Sequence, residues 1–311
     1  MKFEHRLVPL KRIIFEDHTF CLSYPCRATN LISSIDLVGI INPPVVREIA
    51  EGYQIVCGRG RLEAAQKLGH QEVVCKVLPP WVDDLSCLSI SFEENITSRG
   101  FNLVEKALVV EKFLNYLPDE EVLKHILPRL GFSSHYHQLE MLQRLNFLEE
   151  EAKELLAAEE LNPKVALKLL ELDEGSRKRF IHLVKDLGLS FGRQREMLEL
   201  LLDLSRQEEI TLKDIFDKEE IRTILEAEKL NPPQKAEKLH NYLRKKIFPH
   251  FEAQKDRVEN ISRRLASQGV RLKPSQAFEK DLWQIELSFR SLSELRERWP
   301  EILKELSALE N

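Results

Sequence analysis

The sequence predicts an α+β protein in three parts: a mixed N-terminal domain over residues 1–100, an all-helical domain over 101–230, and a basic helix leading into a small α-β-β-α unit over 231–311. Three observations predict it. β-rich runs crowd into the segment before Asn102, a helical apolar period sets in at Asn102, and strict two-residue alternation returns at Trp283.

In the first part, Pro44–Ile49 and Tyr53–Cys57 read as a hairpin turned at Ala50-Glu51-Gly52. Gly58-Arg59-Gly60 breaks the second strand. Leu62, Ala65 and Leu68 then space out a short amphipathic helix closed by Gly69, and Val73–Val77 returns as a strand. The unit is strand, glycine turn, short helix, strand.

From Asn102 onward, Leu103, Ala107, Val110, Leu114 and Leu117 fall on one helical face, and Asn102 with Glu105 three residues on forms a capping box. Helices continue to about residue 268, punctuated by Pro118, Gly131, Pro163, Gly188 and Pro232-Pro233. Within them, Leu123–Phe132 and His135–Leu145 read as two helices joined through Ser133-Ser134, with Pro128 interrupting the first.

In the third part, a helix through Val258, Ile261 and Leu265 ends at Gly269, and Val270–Lys273 forms a short strand. Trp283, Ile285, Leu287 and Phe289 alternate with polar residues, the pattern of a strand with one buried face. Ser291 and Glu294 open a last helix with Leu292, Leu295, Trp299 and Leu306 inward, kinked or restarted at Pro300. A unit of roughly 55 residues buries little surface alone, so a second copy is expected to cover this face.

Composition narrows the function classes. Five cysteines, an odd number with no CxxC pair, argue against a disulfide framework or a zinc module. The sequence has no apolar run long enough for a membrane span and no signal-peptide core at its start, which predicts a soluble cytoplasmic chain with no membrane segment. A formal charge of −5 excludes a uniformly basic nucleic-acid binder. Yet Lys235–Lys273 holds eleven Lys/Arg against four Asp/Glu, which reads either as a solvated charged helix or as a phosphate-binding stripe. Arg244, Lys245 and Lys246 are its candidate contacts.

The strongest local motif is Gly58-Arg59-Gly60-Arg61 between a strand and a helix. Glycines allow close backbone approach, a helix start offers unpaired N–H groups, and arginine supplies a charged fork, a set that suits phosphate. A tight turn with solvated arginines fits the same residues.

Longer stretches carry a resemblance. Gly39-Ile-Ile-Asn-Pro-Pro-Val-Val-Arg47, Tyr53-Gln-Ile-Val-Cys-Gly-Arg-Gly-Arg-Leu-Glu-Ala-Ala65, and Glu94-Asn95-Ile96 with Asn102 and Glu105 resemble three ordered boxes of the ParB partition-protein family. The resemblance implies a ParB/sulfiredoxin-like N-terminal fold with a pocket for CTP and Mg2+. Arg47, Gly58, Arg61, Glu94 and Asn95 match nucleotide-binding positions, Glu94 also standing at the metal, and Arg59 and Arg99 are neighbouring stand-ins. Against the family pattern, Arg59 replaces a Glu, Gly60 and Glu63 replace arginines, and Ser98 holds the third-box Arg position with Arg99 one residue late. The implied pocket is therefore degenerate, at most a weak CTPase, and no catalytic residue is assigned.

The helical segment resembles the family's helix-turn-helix, which makes Ser133, Ser134, His135, His137, Gln138 and Arg144 the expected DNA-facing residues. Leu161–Leu170 and Gly188–Arg195 resemble the helical region that follows it, and the final unit resembles the family's dimerisation domain. Together these imply a nucleoid-associated, DNA-binding homodimer acting in DNA partition or chromosome organisation, with a partition ATPase as partner. The sequence enters its first domain within ten residues, without the family's ATPase-stimulating basic tail, so a DNA-binding dimer is a firmer expectation than segregation.

Two alternatives remain: a regulator or adaptor of this fold without nucleotide switching, and a nuclease or phosphoryl-transfer enzyme. Two features oppose the enzyme. Cys57 precedes Gly58, so the sulfiredoxin-type nucleophile is misplaced, and Glu93 and Glu94 are adjacent with no third carboxylate spaced for a two-metal site.

Overall fold

The computed structural model describes residues 3–25, 29–267, 269–274 and 283–307. Its contacts divide the chain into two compact units, 1–195 and 196–311. No described helix is long and apolar enough to cross a membrane.

The first unit opens with a five-stranded sheet: β1 (Glu4–Pro9), β2 (Ile13–Ile14), β3 (Val45–Ile49), β4 (Gly52–Cys57) and β5 (Glu72–Leu78). The strand order is β1-β5-β3-β4-β2, with β1/β5 and β3/β4 antiparallel and β3/β5 and β2/β4 parallel. The hairpin expected at residues 50–52 is the β3/β4 turn. Gly52 is required there, because a Cβ would lie 2.3 Å from the Arg12 carbonyl oxygen, on the chain that leads into β2. Every residue of β4 is buried, which accounts for its near-continuous apolar run.

Helix α1 (Thr29–Val38) precedes β3, and α2 (Arg59–Lys67) follows β4 directly. Leu62 and Ala65 of α2 pack into the sheet core with Val8, Val46, Ile55 and Val77, while Ala64 meets Ile35 of α1. Next come α3 (Asp84–Ser98), capped by the Asp83 carboxylate on Ser86 N–H, and α4 (Leu103–Leu114), with the predicted reciprocal Asn102/Glu105 capping box in place. The buried line of α4 is Val104, Ala107, Val110 and Phe113; Leu103, Leu114 and Leu117, assigned inward from the sequence, are half-buried at its margin.

The segment read as a helix over 123–132 is not one regular helix. α5 (Asp119–Glu121) passes into a π-turn over Val122–Ile126 and a 3-10 turn over Pro128–Leu130. Pro128 has no N–H to give the preceding turn, and the bond that forms instead is the wider Leu127 N–H to Val122 O. Gly131, at φ 83°, closes it with Phe132 N–H on Leu127 O. The next helix, α6 (Tyr136–Leu145), begins two residues beyond Ser133-Ser134, with His135 at the N-cap.

Helices α7 (Glu150–Ala157), α8 (Pro163–Leu169), α9 (Glu174–Leu187) and α10 (Phe191–Glu208) follow, α10 running across the unit boundary. The acid-rich Glu149–Glu160 segment is a solvated face, with Ala152, Leu155 and Leu156 turned inward. The second unit contains α11 (Leu212–Phe216), α12 (Glu219–Glu226), α13 (Pro232–Ile247) and α14 (Pro249–Ser267), then β6 (Val270–Pro274), β7 (Trp283–Leu287) and α15 (Leu292–Leu306). The antiparallel β6/β7 pair matches the predicted α-β-β-α order, and α15 continues through Pro300 without a break.

The inward face of α15 differs from the sequence reading. Ile302 is its fully buried residue, packed with Val258, Ile261, Leu265 and Val270, whereas Leu292 and Trp299 are exposed. The small core fills from one side of α15 only, so its other apolar residues are left outside. Ile285 and Phe289 of the alternating segment are exposed as well, and the side chain of Trp283 lies outside the described residues.

Candidate functional site

A cavity of about 510 Å³ opens in the first unit between the start of α2, the C-terminal half of α3 and the segment Phe20–Pro25. The turn from β4 into α2 builds its floor. Gly58 sits at φ 84°, a left-handed conformation that favours glycine, with the Arg61 guanidinium close beside it. The first turn of α2 has no side-chain cap, which leaves the amides of Arg59 and Gly60 to the cavity.

Of the residues singled out by sequence, Gly58, Arg59, Arg61, Glu94, Asn95 and Arg99 line this cavity together, although they come from two separate stretches of chain. Arg47 does not. Its guanidinium donates to Gln54 Oε1 at 2.6 and 3.0 Å and to the Val82 carbonyl at 2.7 Å, and it pairs with Asp84 at 2.7 Å. It reaches the cavity only indirectly, over the ring of Phe20.

The three lining arginines are already engaged. Arg61 donates to Glu94 and, at 2.5 Å, to the Asn42 carbonyl. Arg99 grips Glu105 with both terminal nitrogens, at 2.8 and 2.9 Å, and donates to Ser23 Oγ. Arg59 is turned into the wall: it donates to the carbonyls of Phe15 and Asp17, stands 3.6 Å from Glu63, and its Nε is buried with no partner. Glu63 therefore does not face the cavity, whereas Gly60 and Ser98 do.

Glu105 is the residue whose role the sequence reading understated. It is only 2% exposed and also accepts from the amides of Asn102 and Tyr24, each at 2.9 Å, so one carboxylate ties helix α4, the pocket arginine and the Tyr24 segment together. Its capping-box spacing was legible; its partners across the cavity were not.

No group of three His, Cys, Asp or Glu among the described residues could hold a metal ion, and Glu94, the expected ligand, is occupied by Arg61. The nearby cysteines supply no nucleophile. Burial pushes the Cys57 thiol up to about 12, and Cys87 up to about 11.

The second candidate region is the start of α6. Ser133, Ser134, His135 and His137 are exposed, the two imidazoles stack with centroids 5.6 Å apart, and His137 Nε2 lies 2.9 Å from the Gln138 side-chain nitrogen. Arg144 is half-buried a turn and a half later. The turn before α6 is held to α3 by Arg129, which pairs with Glu93 and lies over the Phe92 ring at 4.8 Å. That hydrogen bond also holds the Glu93 carboxyl below its usual range.

In the second unit, Arg244 and Lys245 are drawn to α14, pairing with Glu252 at 2.6 Å and Asp256 at 2.9 Å. Lys246 lies over the Tyr242 ring. Such pairs, with Lys255–Glu259, consume three of the four carboxylates in the basic segment. Exposed Lys238, Lys246, Arg257 and Arg263 remain without a carboxylate partner among the described residues.

Comparison with known proteins bears on the first region. Residues 25–96 match the family described as the ParB N-terminal domain. The chain carries a ParB N-terminal domain. It is 32% identical over 144 residues to a probable chromosome-partitioning protein ParB of Vibrio cholerae, a match that covers 46% of this chain and 47% of that one. The chain thus spans about half the length of that curated relative. Two crystal structures of C-terminally truncated ParB from Caulobacter crescentus are also similar. The one complexed to the centromeric parS site is 23% identical with a TM-score of 0.33, covering 61% of this chain and 96% of that one. The one complexed with CTP-gamma-S is 25% identical with a TM-score of 0.27, covering 58% and 97%. Both superpositions are too loose to transfer a contact.

Proposed function

We propose that this ParB-like chain is a DNA-binding protein of chromosome partition or organisation, a nucleoid-associated homodimer whose N-terminal cavity takes a cytidine nucleotide. The observation that carries the proposal is the exposed start of α6, preceded by a glycine-closed turn and lying directly downstream of a ParB N-terminal domain. A helix start with exposed hydroxyl, imidazole and amide groups suits base edges and phosphates in a major groove. The exposed cations of α13 and α14 suit the sequence-independent part of the contact. Homodimerisation through the 231–311 part is supported by the uncovered apolar residues of β7 and α15.

The nucleotide reading rests on the family match and on the convergence of two matched boxes around one cavity. The partner ATPase and Mg2+ belong to the same family resemblance. The alternative of an adaptor that never switches on nucleotide is favoured by one observation, the pairing of Arg61 and Arg99 with carboxylates.

Fluorescence anisotropy with labelled duplexes over a salt series tests the DNA reading. Log affinity is expected to fall linearly with log salt, and neutralising Lys246, Arg257 and Arg263 together should weaken all duplexes alike and flatten that slope by about 2–3. His135→Ala or Gln138→Ala should instead relax preference among sequences, by roughly 1–3 kcal/mol at the affected base pair. Equal affinity for every duplex in the native chain and both variants would remove the recognition helix.

A further inference from the structure

The part of α6 expected to face DNA is not held by its own packing. The buried side chains of α6 are Leu139, Leu142 and Leu145, all in its later turns, whereas residues 135–138 are exposed or half-buried and the N-terminus has no side-chain cap. The direction in which the first turn leaves the molecule is therefore inherited from the irregular turn before it, residues 128–132. That turn is attached to the rest of its unit by the buried Leu130, by Phe132 under the Lys106 ammonium of α4 at 5.1 Å, and by Arg129. The first two attachments leave the turn free to pivot, because an apolar contact has no direction and an ammonium is a point charge.

Arg129 holds differently. Its two terminal nitrogens donate to the two carboxylate oxygens of Glu93, one of them at 2.7 Å, and its guanidinium lies 4.8 Å from the centroid of the Phe92 ring. A fork on a carboxylate together with a face on a ring fixes the plane of the guanidinium as well as its position. Both partners are consecutive residues of α3, and Phe92 cannot yield: it is 1% exposed, stacked on Phe101 with centroids 5.8 Å apart and edge-on to Phe113 at 5.5 Å. An exposed ion pair contributes little to stability, so this one bears on where the turn points and hardly on whether the chain folds.

We propose that Arg129 is a positioning residue of the reading helix: docked on Glu93 and Phe92, it fixes the angle at which α6 enters DNA and makes no contact with DNA itself. The proposal rests on reading α6 as the helix that meets DNA. Base contacts need donors and acceptors placed within about 0.5 Å, whereas phosphate contacts from exposed cations tolerate a looser fit. Freeing the turn should therefore cost selectivity and spare non-specific affinity. The competing role for a cation at this place, a direct phosphate contact, predicts the opposite response to loss of Glu93, since an unpaired Arg129 would reach DNA more readily.

Fluorescence anisotropy on the full chain tests this with two duplexes of equal length, one enriched from a random pool by the native chain and one scrambled, over a salt series. Arg129→Ala should reduce the preference for the enriched duplex about tenfold, the size of one weakened base contact, and leave the affinity and salt slope of the scrambled duplex unchanged. Arg129→Lys, which keeps the charge and loses the fork, should do nearly the same. Glu93→Ala should lower the preference in the same direction, and its combination with Arg129→Ala should cost no more than either alone, because both remove one attachment. Higher affinity for both duplexes in Glu93→Ala, with a salt slope lower by about 1 in Arg129→Ala, would make Arg129 a phosphate contact and overturn the inference while leaving the DNA reading intact. Unchanged preference in every variant would overturn it as well. If the native chain enriches no duplex, the reading of α6 fails and the inference with it. Glu93 is half exposed and alanine suits a helix, so the Glu93 arm stands even where Arg129→Ala folds poorly.

Discussion

Removing the Glu105 carboxylate should release the N-terminal turn of α4 from the pocket wall. Glu105→Ala deletes four hydrogen bonds, from the amides of Asn102 and Tyr24 and from the two terminal nitrogens of Arg99. The two backbone donors lie in a partly buried junction where water can replace the acceptor only in part, and each is worth about 1 kcal/mol. The Arg99 side chain is 43% exposed and rehydrates, so its ion pair is discounted to about 0.5 kcal/mol for solvent screening. The sum is about 2.5 kcal/mol, or a little under two decades in a local opening equilibrium. Hydrogen–deuterium exchange resolved to the segment 103–113 reads it directly. Those amides should exchange roughly 100-fold faster in Glu105→Ala, those of β4 hardly at all. Glu105→Gln, which keeps one acceptor oxygen but turns an amide toward Arg99, should recover about half of the loss. Acceleration below threefold in the alanine variant would refute the reasoning, since the four bonds would then carry almost none of the junction's stability.

Two further outcomes follow from other parts of the molecule. Leu292→Glu with Trp299→Glu places charge on the exposed side of α15 without touching Ile302, so under the proposed pairing light scattering should show a dimer for the native chain and a folded monomer for the variant; a variant dimer that persists at micromolar concentration would place the interface elsewhere. Among the described cysteines, Cys57, Cys75 and Cys87 have their thiols pushed up to about 12, 12 and 11 by burial, so they stay neutral at pH 8 and should resist iodoacetamide until the chain unfolds, whereas the partly exposed Cys21 should be alkylated first, with peptide mass spectrometry as the readout.

The sequence by itself determined the features that depend on near neighbours. The β3/β4 hairpin, the glycine-broken passage into α2, the caps at Asn102 and Ser291, and the alternating strand from Trp283 are written in periods of two or 3.6 residues and in cap chemistry, and each formed where expected. Pro128 likewise announced an irregular turn, though the π and 3-10 pieces it produced follow from which carbonyls the packed segment could still reach. Only the tertiary structure decided what the long charged side chains hold. Arg61 finds Glu94 33 residues away, Tyr24 N–H finds Glu105 81 residues away, and Arg47 is taken up by Gln54, Val82 and Asp84 before it can reach the cavity. The same holds for α15, where seven-residue spacing made Leu292 and Trp299 look inward but the small core admits one side of the helix, the side of Ile302. A backbone period fixes the direction in which a side chain leaves its element; its partner, and hence whether an arginine is a free phosphate fork or half of an internal ion pair, is set by whichever distant segment packs against it.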